Sequence, residues 1–310
     1  MKYVFQFCFL LSFISLASAQ AINIKADIIY KSVDQRDLKL DLYYPENNLI
    51  GKYPVVIYTH GGGWATGSKK AASGRTGMSR VVRGLVEKGF CVASVDYRLW
   101  KKDGNTVIRD CVIDSKDAIR FLAKNSEKYH IDAQQVFTFG DSAGGHIAQM
   151  LLLTPPKSFI GDAELAQYTY KVVAGISWYG PCDFENIQLF NHDGRANFRN
   201  RFNARLIKPD TAPKDKMALY KEVSPVNYLS KDSAPLLMIQ GDQDTTIPVH
   251  HAHYMKAKAD LVGANVQLII VKNSTHNWRA VDKSKATQPE LKEIVEETVE
   301  YMNNQFKKSI

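Results

Sequence analysis

The chain has 310 residues, of which 45% are hydrophobic, and this length suits one large α/β domain or two small ones. Its formal charge is +8 at pH 7, but the lysines and arginines are scattered, so a solvated basic surface is favoured over nucleic-acid binding. The sequence contains no Gly/Ser- or Pro-rich linker, repeat or low-complexity run. We therefore predict a single domain over residues 20–310.

The first residues have the pattern of a secretory signal peptide. Lys2 supplies a positive charge, residues 4–16 form a short apolar run, and Ala-Ser-Ala at 17–19 is a small-residue cleavage site. We expect cleavage after Ala19, a secreted or periplasmic protein, and no membrane span in the mature chain. A retained N-terminal anchor is the alternative, although the run is short for a span.

Three cysteines remain after residue 19, namely Cys91, Cys111 and Cys182, and an odd number predicts at least one free thiol. Cys91 lies in an apolar, strand-like run and Cys111 in a helix-like one. Core packing therefore explains these residues better than a disulfide framework does.

Stretches of β-forming residues alternate with stretches of helical periodicity along the chain. The first two strands lie in residues 24–44, and the second of them alternates like a half-buried strand. Further strands are predicted at 53–60, 90–99, 136–139, 172–180, 235–242 and 266–272, and helices at 78–88, 107–129, 146–153, 249–261 and 290–306. Because most strands are continuous apolar runs, we predict a mainly parallel sheet with helices on both faces.

Residues 184–228 interrupt this alternation. The segment is polar, aromatic and arginine-rich, and it is too long for an ordinary connection between two strands. We predict a helical insertion that lies over the site as a cap. Its arginines hint at an acidic substrate, but solvated helix charges are the favoured interpretation; they are Arg195, Arg199, Arg201 and Arg205.

The sequence Gly-Asp-Ser-Ala-Gly at 140–144 stands between a predicted strand and a predicted helix. It matches G-x-S-x-G, in which a serine lies at a sharp strand-to-helix turn with its hydroxyl exposed. Glycines suit this turn because larger side chains would collide with the strand or the helix, and the helix N-terminus favours developing negative charge. In this context the motif predicts Ser142 as a catalytic nucleophile.

A serine nucleophile needs a base, and His276 follows the last predicted strand, where a loop can overhang the site. The imidazole in turn needs a carboxylate to orient it. Asp242 and Asp244 both follow a predicted strand; we prefer Asp244, which lies farther into the loop, and expect a structural role for Asp242. The order Ser142, Asp244, His276 is the order of an α/β-hydrolase.

Three other histidines, His250, His251 and His253, form a cluster that could suggest metal ligands. No carboxylate or cysteine set completes such a site, so we interpret all three as a solvated helix face and expect no metal. His146 begins the helix behind Ser142 and should point away from it.

The sequence Thr-His-Gly-Gly-Gly-Trp at 59–64 ends another predicted strand and matches the HGGG-type element of lipases and esterases. We assign the backbone N–H groups of Gly62, Gly63 and Ala143 to an oxyanion hole. Residues 62–67 also have the G-x-x-x-x-G spacing of a phosphate loop. Ser68 stands where that motif requires lysine, so we reject a phosphate site.

Together, the stretches HGGGWATGSK, DYRL, FGDSAGGH, SPVNYL and GDQDTTIPV resemble the hormone-sensitive-lipase-like esterases of the α/β-hydrolase superfamily. Within that group the sequence is most similar to bacterial carboxylesterases of the feruloyl-esterase-like (BD-FAE) type. The resemblance covers essentially the whole mature length and implies an α/β-hydrolase fold, a Ser142–His276–Asp244 triad and an oxyanion hole built from the HGGG glycines. It also implies hydrolysis of carboxylic esters, such as short-acyl esters or the acetyl and feruloyl groups of plant polysaccharides, without a cofactor. Residues 184–228 match no pattern of this family, which leaves the substrate open.

Two other classes of function stay open. A serine peptidase of the prolyl-oligopeptidase-like type uses the same triad, but such enzymes usually carry a large propeller domain, for which this chain is too short. A non-catalytic binding protein with an esterase fold would generally lack a member of the triad, and every member is present here.

Asn273-Ser274-Thr275 is a glycosylation sequon beside His276. A glycan at this position would crowd the predicted site. We therefore predict that Asn273 is unmodified.

Overall fold

Within the part of the chain that the structure describes, eight strands form where β-branched and aromatic residues run together. The computed structural model describes residues 22–46, 51–74, 76–191 and 202–310. The strands are β1 (Ile22–Val33), β2 (Arg36–Pro45), β3 (Tyr53–Thr59), β4 (Cys91–Val95), β5 (Ile131–Asp141), β6 (Val172–Trp178), β7 (Leu236–Gly241) and β8 (Val266–Val271). They build one sheet in the order β1-β2-β4-β3-β5-β6-β7-β8.

Most neighbouring strands in this sheet are parallel. Among the strands of the described ranges, the two antiparallel pairs both involve β2, which pairs with β1 on one side and with β4 on the other. The pairs β4–β3, β3–β5, β5–β6, β6–β7 and β7–β8 are all parallel. The prediction of a mainly parallel sheet is thus confirmed, and the carboxyl ends of β3, β5, β7 and β8 lie along one edge, where loops can converge on a site.

Helices cover both faces of the sheet. They are α1 (Gly77–Glu87), α2 (Ile108–Lys124), α3 (Ser126–Tyr129), α4 (Ala143–Leu153), α5 (Asn203–Leu206), α6 (Pro213–Glu222), α7 (His250–Val262) and α8 (Leu291–Ser309). Alternate residues of β3 show the two layers: Val55 and Ile57 belong to the core shared with α2 and α4, whereas Val56 and Tyr58 belong to the core shared with α1 and α8. The continuous apolar run of β3 therefore reflects burial on both faces.

Two sequence predictions about these elements were wrong in detail. The predicted helix at 107–129 is divided at Asn125, which has φ −106° and ψ 26° and whose side-chain amide donates to the carbonyl oxygen of Phe121. The second strand, β2, is buried over most of its length rather than half-buried. Its polar residue Asp41 is buried because Lys69 covers it in an ion pair of 2.7 Å.

In the described part of residues 184–228, which we call the cap, helical stretches alternate with irregular segments. It contains a 3-10 helix at Ile187–Phe190, the helices α5 and α6, and a second 3-10 helix at Pro225–Tyr228. The predicted charges at Arg195, Arg199 and Arg201 lie outside the described residues. The remaining one, Arg205, lies in α5 and is half-buried, so the solvated interpretation was wrong for it.

Cys91, Cys111 and Cys182 are buried, and none of the three forms a disulfide with another described residue, in agreement with the expectation of core packing. The predicted signal sequence and its cleavage site after Ala19 lie outside the described residues. Among the helices of the described ranges, none has the length and apolar character that a bilayer crossing requires.

Candidate active site

Ser142 lies at a sharp joint between β5 and α4. Its backbone has φ 53° and ψ −117°, a strained conformation for a residue with a side chain. The joint is held by hydrogen bonds on both sides: the N–H of Ser142 donates to the carbonyl of Trp178 at 2.9 Å, and its own carbonyl accepts from the N–H of His146 at 3.0 Å. A Cβ atom on Gly144 would overlap the backbone carbonyl of Thr59, so the motif needs glycine there for close packing of helix against strand.

The structure brings Ser142, His276 and Asp244 into one hydrogen-bonded chain. The Oγ of Ser142 lies 3.0 Å from Nε2 of His276, and Nδ1 of the same imidazole lies 2.6 Å from Oδ2 of Asp244. These distances are those of a nucleophile, a base and an orienting carboxylate. Ser142 lies at the joint after β5, His276 in the loop after β8 and Asp244 in the loop after β7, all at the carboxyl edge of the sheet.

The carboxylate of Asp244 is fully buried, and its position is fixed by several donors. Backbone N–H groups of Thr246 and Ile247 donate to Oδ1 at 2.7 and 3.0 Å, and the side-chain amide of Gln240 donates to Oδ2 at 3.0 Å. Burial of a carboxylate is unfavourable unless its oxygens accept hydrogen bonds. The carboxylate of Asp244 is therefore fixed in place, and its Oδ2 holds His276 in one orientation.

Asp242 occupies a different position. Its Oδ1 accepts a hydrogen bond of 3.1 Å from the backbone N–H of Ser274, while its own N–H donates to the carbonyl of Val271. These bonds join the loop after β7 to the loop after β8, which carries His276. The structure thus places Asp244 against the imidazole and Asp242 in the support of the histidine loop.

The predicted oxyanion-hole residues line the same cleft as Ser142. This cleft has a volume of about 280 Å³ and is lined by residues that include Gly62, Gly63, Ala143, Phe202, Arg205 and Ile247. Ala143 is the first residue of α4, so its N–H has no acceptor within the helix. Gly62 has φ 113°, a conformation that glycine adopts without strain.

The segment 60–66, which we call the oxyanion loop, is attached to the residue that precedes the nucleophile. Oδ1 of Asp141 accepts from the N–H of Gly61 at 3.0 Å and from the hydroxyl of Tyr58 at 2.9 Å. Burial raises the pKa of Asp141, and these two hydrogen bonds oppose that rise. The backbone N–H groups of Ala65 and Thr66 also donate to the carbonyl oxygen of Gly62, and these hydrogen bonds form a turn within the loop.

An aromatic wall supports the imidazole of His276. The ring of Tyr179 lies 4.4 Å from it between centroids, and Trp278 packs edge-on against Tyr179 at 4.6 Å. Tyr179 is buried, with a relative exposure of 3%, and has φ 40° at the end of β6. Tyr179 therefore packs against one side of the imidazole while Asp244 fixes its Nδ1 edge.

The cap contributes two residues to the cleft that the sequence did not identify as part of a site. Phe202 and Arg205 line the same cleft as Ser142, and Nη1 of Arg205 donates to the carbonyl of Gly63 at 3.0 Å. These residues lie about sixty positions beyond the nucleophile motif in an otherwise unpatterned segment. The arginine-rich composition was the one signal that pointed to them.

The histidine cluster at the start of α7 does not form a single solvated face. His250 and His253 are exposed, but His251 is fully buried, where its Nδ1 accepts from the N–H of Cys182 at 3.2 Å and its ring packs on Phe190. The prediction was wrong for His251 because consecutive helical residues are rotated by about 100°, so His250 and His251 cannot share one face.

His146 also lies in the core, away from the hydroxyl of Ser142. Its Nε2 lies 2.7 Å from the carbonyl oxygen of Val223, and its ring packs edge-on against Trp64 and Phe184. Burial lowers the pKa of His146 to about 4 and the pKa of His251 to about 3. Both imidazoles are therefore neutral in the folded protein at pH 7.

We expect the stability of the protein to fall as the pH is lowered from about 6.5 towards 4. In this window the unfolded chain protonates His146 and His251 while the folded chain does not, which favours unfolding by up to about 1.4 kcal/mol per pH unit for each residue. Urea unfolding at several pH values gives the free energy of unfolding at each pH, and so the slope of that free energy against pH. His251→Gln should reduce it, whereas the same substitution at exposed His253 should leave it unchanged; equal slopes for both variants would contradict the prediction.

We expect Asn273 to carry no glycan even when the protein is produced in a glycosylating host. Its Nδ2 donates to the carbonyls of Asp282 and Lys285, both at 3.0 Å, and its Oδ1 accepts from the N–H of Asp282 at 2.8 Å. The nitrogen that would be modified is thus engaged in folding the loop beside His276. Intact mass before and after glycosidase treatment, with Asn273→Gln as a control, checks this expectation.

The sheet, its helices and the Ser142–His276–Asp244 arrangement at the carboxyl edge define the α/β-hydrolase class of proteins. Within that class, the chain belongs to the BD-FAE family, whose sequence model matches residues 40–259.

The chain is also similar to curated proteins and to solved structures. The chain is 29% identical over 210 residues to the probable carboxylic ester hydrolase LipM of Mycobacterium tuberculosis, covering 67% of this chain and 45% of the relative. It is 26% identical over 255 residues to the isoprenylcysteine alpha-carbonyl methylesterase ICME of Arabidopsis thaliana, covering 82% of this chain and 56% of the relative. The chain thus spans about half the length of the curated relatives that it matches.

Two solved structures show a similar fold. A truncated form of a carbohydrate esterase from gut microbiota superposes with a TM-score of 0.71 at 21% identity, over 93% of this chain and 98% of the other. Esterase 2 of Thermogutta terrifontis, phosphonylated by sarin, gives a TM-score of 0.68 at 22% identity, over 94% and 95% of the two chains. At these identities the similarity establishes the α/β-hydrolase fold.

Proposed function

We propose that the protein is a serine carboxylesterase that works through an acyl-enzyme intermediate. The observation that carries this proposal is the continuous hydrogen-bonded chain from Ser142 Oγ through His276 to the buried carboxylate of Asp244. It is supported by the glycine-rich oxyanion loop at the same cleft, by membership of the BD-FAE family, and by similarity to ester hydrolases.

In the proposed reaction, the Oγ of Ser142 attacks the ester carbonyl carbon while its proton passes to Nε2 of His276. Asp244 stays ionised and stabilises the imidazolium, and the N–H groups of Gly62, Gly63 and Ala143 bind the carbonyl oxygen as it becomes negative. His276 then gives the proton to the leaving alcohol, which departs and leaves an acyl group on Ser142. Water repeats the attack with His276 as base, and the carboxylic acid and free enzyme are released.

We propose short-acyl or aromatic-acid esters as substrates, with acetyl or feruloyl groups of plant polysaccharides as the natural source. The cleft volume of about 280 Å³ fits a small acyl group, and Phe202 and Ile247 offer apolar contacts for it. The similarity to a carbohydrate esterase in fold is consistent with an ester on a sugar. Neither metal nor cofactor is needed for this chemistry.

A secreted or periplasmic location belongs to the same proposal. Its support is the sequence pattern of residues 1–19, with a positive start, an apolar run and a small-residue cleavage site. Extracellular esters attached to polymers are accessible to an enzyme in that location. N-terminal sequencing of the protein recovered from its native host tests for cleavage after Ala19.

The experiment that tests the activity is hydrolysis of p-nitrophenyl esters from acetate to decanoate, together with methyl ferulate, by the protein beginning at Gln20. We expect the highest kcat/KM with the shortest acyl groups or with ferulate. Cleavage of chromogenic peptides without cleavage of esters would instead favour a peptidase. If wild-type protein leaves both ester and peptide panels intact, a binding protein with this fold becomes the better explanation.

A further inference from the structure

The oxyanion loop is attached to the protein on two sides. On the side of the sheet, Asp141 holds the N–H of Gly61, as described above. On the side of the cap, Nη1 of Arg205 donates to the carbonyl oxygen of Gly63 at 3.0 Å. Arg205 belongs to α5, so this hydrogen bond connects the cap directly to a residue that we assign to the oxyanion hole.

Aromatic rings hold the guanidinium of Arg205 in place. Its central carbon lies 5.5 Å from the ring centre of Trp100 and 5.9 Å from that of Phe202. Residue 100 also anchors the oxyanion loop itself, because the backbone N–H of Trp100 donates to the backbone carbonyl of Trp64 at 2.8 Å. Cation–π contacts orient a planar guanidinium, so the donor to Gly63 is preorganised before any substrate binds.

The carbonyl of Gly63 controls the direction of the neighbouring N–H group. Peptide units are planar, so only φ and ψ of Gly63 lie between its N–H, which we assign to the oxyanion hole, and its C=O, which Arg205 binds. Gly63 has φ 59°, and glycine can leave this region at little cost. A hydrogen bond on the carbonyl therefore restricts the rotation that would turn the N–H away from the substrate oxygen.

We propose that Arg205 is a positioning residue for the proposed esterase reaction: it keeps the N–H of Gly63 directed at the developing oxyanion and thereby couples the cap to catalysis. This inference rests on the esterase function proposed above. Because the interaction acts through an N–H that binds the transition state more strongly than the substrate, its loss should lower kcat and leave KM nearly unchanged.

The test compares Arg205→Met and Arg205→Lys with wild type, and uses Lys208→Met as the matched control. Lys208 is an exposed cation three positions farther along the chain, so its replacement causes the same loss of charge outside the active-site cleft. Removal of a whole oxyanion donor costs about 10²–10³ in kcat, and removal of its support should cost less, about 10- to 30-fold in Arg205→Met. Arg205→Lys should recover part of this loss, and Lys208→Met should match wild type.

Added guanidinium chloride at low millimolar concentration provides a second measurement. It should restore part of the kcat of Arg205→Met, because the free cation can occupy the space between Trp100 and Phe202 and donate to Gly63. A variant that had merely lost its fold would not respond in this way. Wild type and Lys208→Met should not be activated at the same concentration, and rescue that is absent in a folded Arg205→Met variant would count against the inference.

Two substrates of similar length distinguish positioning from substrate binding. p-Nitrophenyl butyrate is neutral, whereas the p-nitrophenyl monoester of succinate carries a carboxylate. Equal losses of kcat on the two substrates support a positioning role for Arg205. An increase in KM that is confined to the anionic ester, with kcat unchanged, would overturn the inference, because Arg205 would then bind the substrate. If wild type is active and Arg205→Met has the same kcat, this inference alone is overturned. If wild type hydrolyses none of the esters, the proposed function and the inference are overturned together.

Discussion

Replacing Ser142 with alanine is expected to lower kcat for ester hydrolysis by about 10⁶-fold. The Oγ of Ser142 is the atom that His276 contacts at 3.0 Å, and alanine removes it while keeping the Cβ atom and the hydrogen bonds of the backbone. The fold should persist, because the strained joint between β5 and α4 is held by Trp178 and His146 through main-chain atoms. Steady-state hydrolysis of p-nitrophenyl acetate measures the loss.

Covalent labelling gives an independent measurement of the same prediction. A fluorophosphonate should add one mass label to wild type, located on the peptide that contains Ser142, and none to Ser142→Ala. The exposed Ser284 offers a matched control, since Ser284→Ala removes a hydroxyl far along the chain and should retain full labelling. Similar hydrolysis by wild type and Ser142→Ala would show that this serine is not the nucleophile.

Asp244→Asn is expected to reduce kcat by about 10⁴-fold. The substitution preserves size but replaces a carboxylate oxygen 2.6 Å from His276 with an amide, which can no longer stabilise an imidazolium and can favour the wrong tautomer. Backbone donors from Thr246 and Ile247 would still meet the retained carbonyl oxygen of the side chain. Activity should therefore fall much more than stability does.

Asp242→Asn is the matched comparison for this prediction. Its Oδ1 supports the histidine loop through one backbone N–H of Ser274, which an amide oxygen can still accept. We expect a loss of less than about tenfold, consistent with one modest hydrogen bond. The contrast is measured as kcat/KM on one ester together with the urea midpoint of each variant, and a larger loss for Asp242→Asn would reverse the assignment of the two aspartates.

Local signals were sufficient to predict the fold and the central arrangement of the site. The strand-turn-helix context of Ser142 and the loop positions of Asp244 and His276 each depend on a few neighbouring residues. The parallel order of strands then brings those loops to one edge. For this reason His276 could be predicted to meet Ser142, 134 positions away, and Asp244, 32 positions away. The structure places all three residues in contact.

Contacts that depend on long-range packing were not predictable in this way. Arg205 and Gly63 are 142 positions apart, and neither lies in a pattern that indicates the other. Helical rotation separates His251 from the face of His250, but its burial against the segment around Cys182 depends on how α7 packs, which the sequence does not indicate. The division of the predicted helix at Asn125 has a different cause, because it depends on a local contact in which the side chain of Asn125 caps the carbonyl of Phe121, and helical periodicity does not reveal such a contact.

The buried thiols make the protein a convenient subject for site-specific labelling. Cys91, Cys111 and Cys182 are fully buried, and burial raises the pKa of each thiol, so none should form the thiolate that reacts with maleimides. A cysteine introduced on the surface of α6, for example Met217→Cys, would then react first in a chain that begins at Gln20. A fluorophore at that position would report movements of the cap relative to the sheet during turnover, without prior removal of any native cysteine.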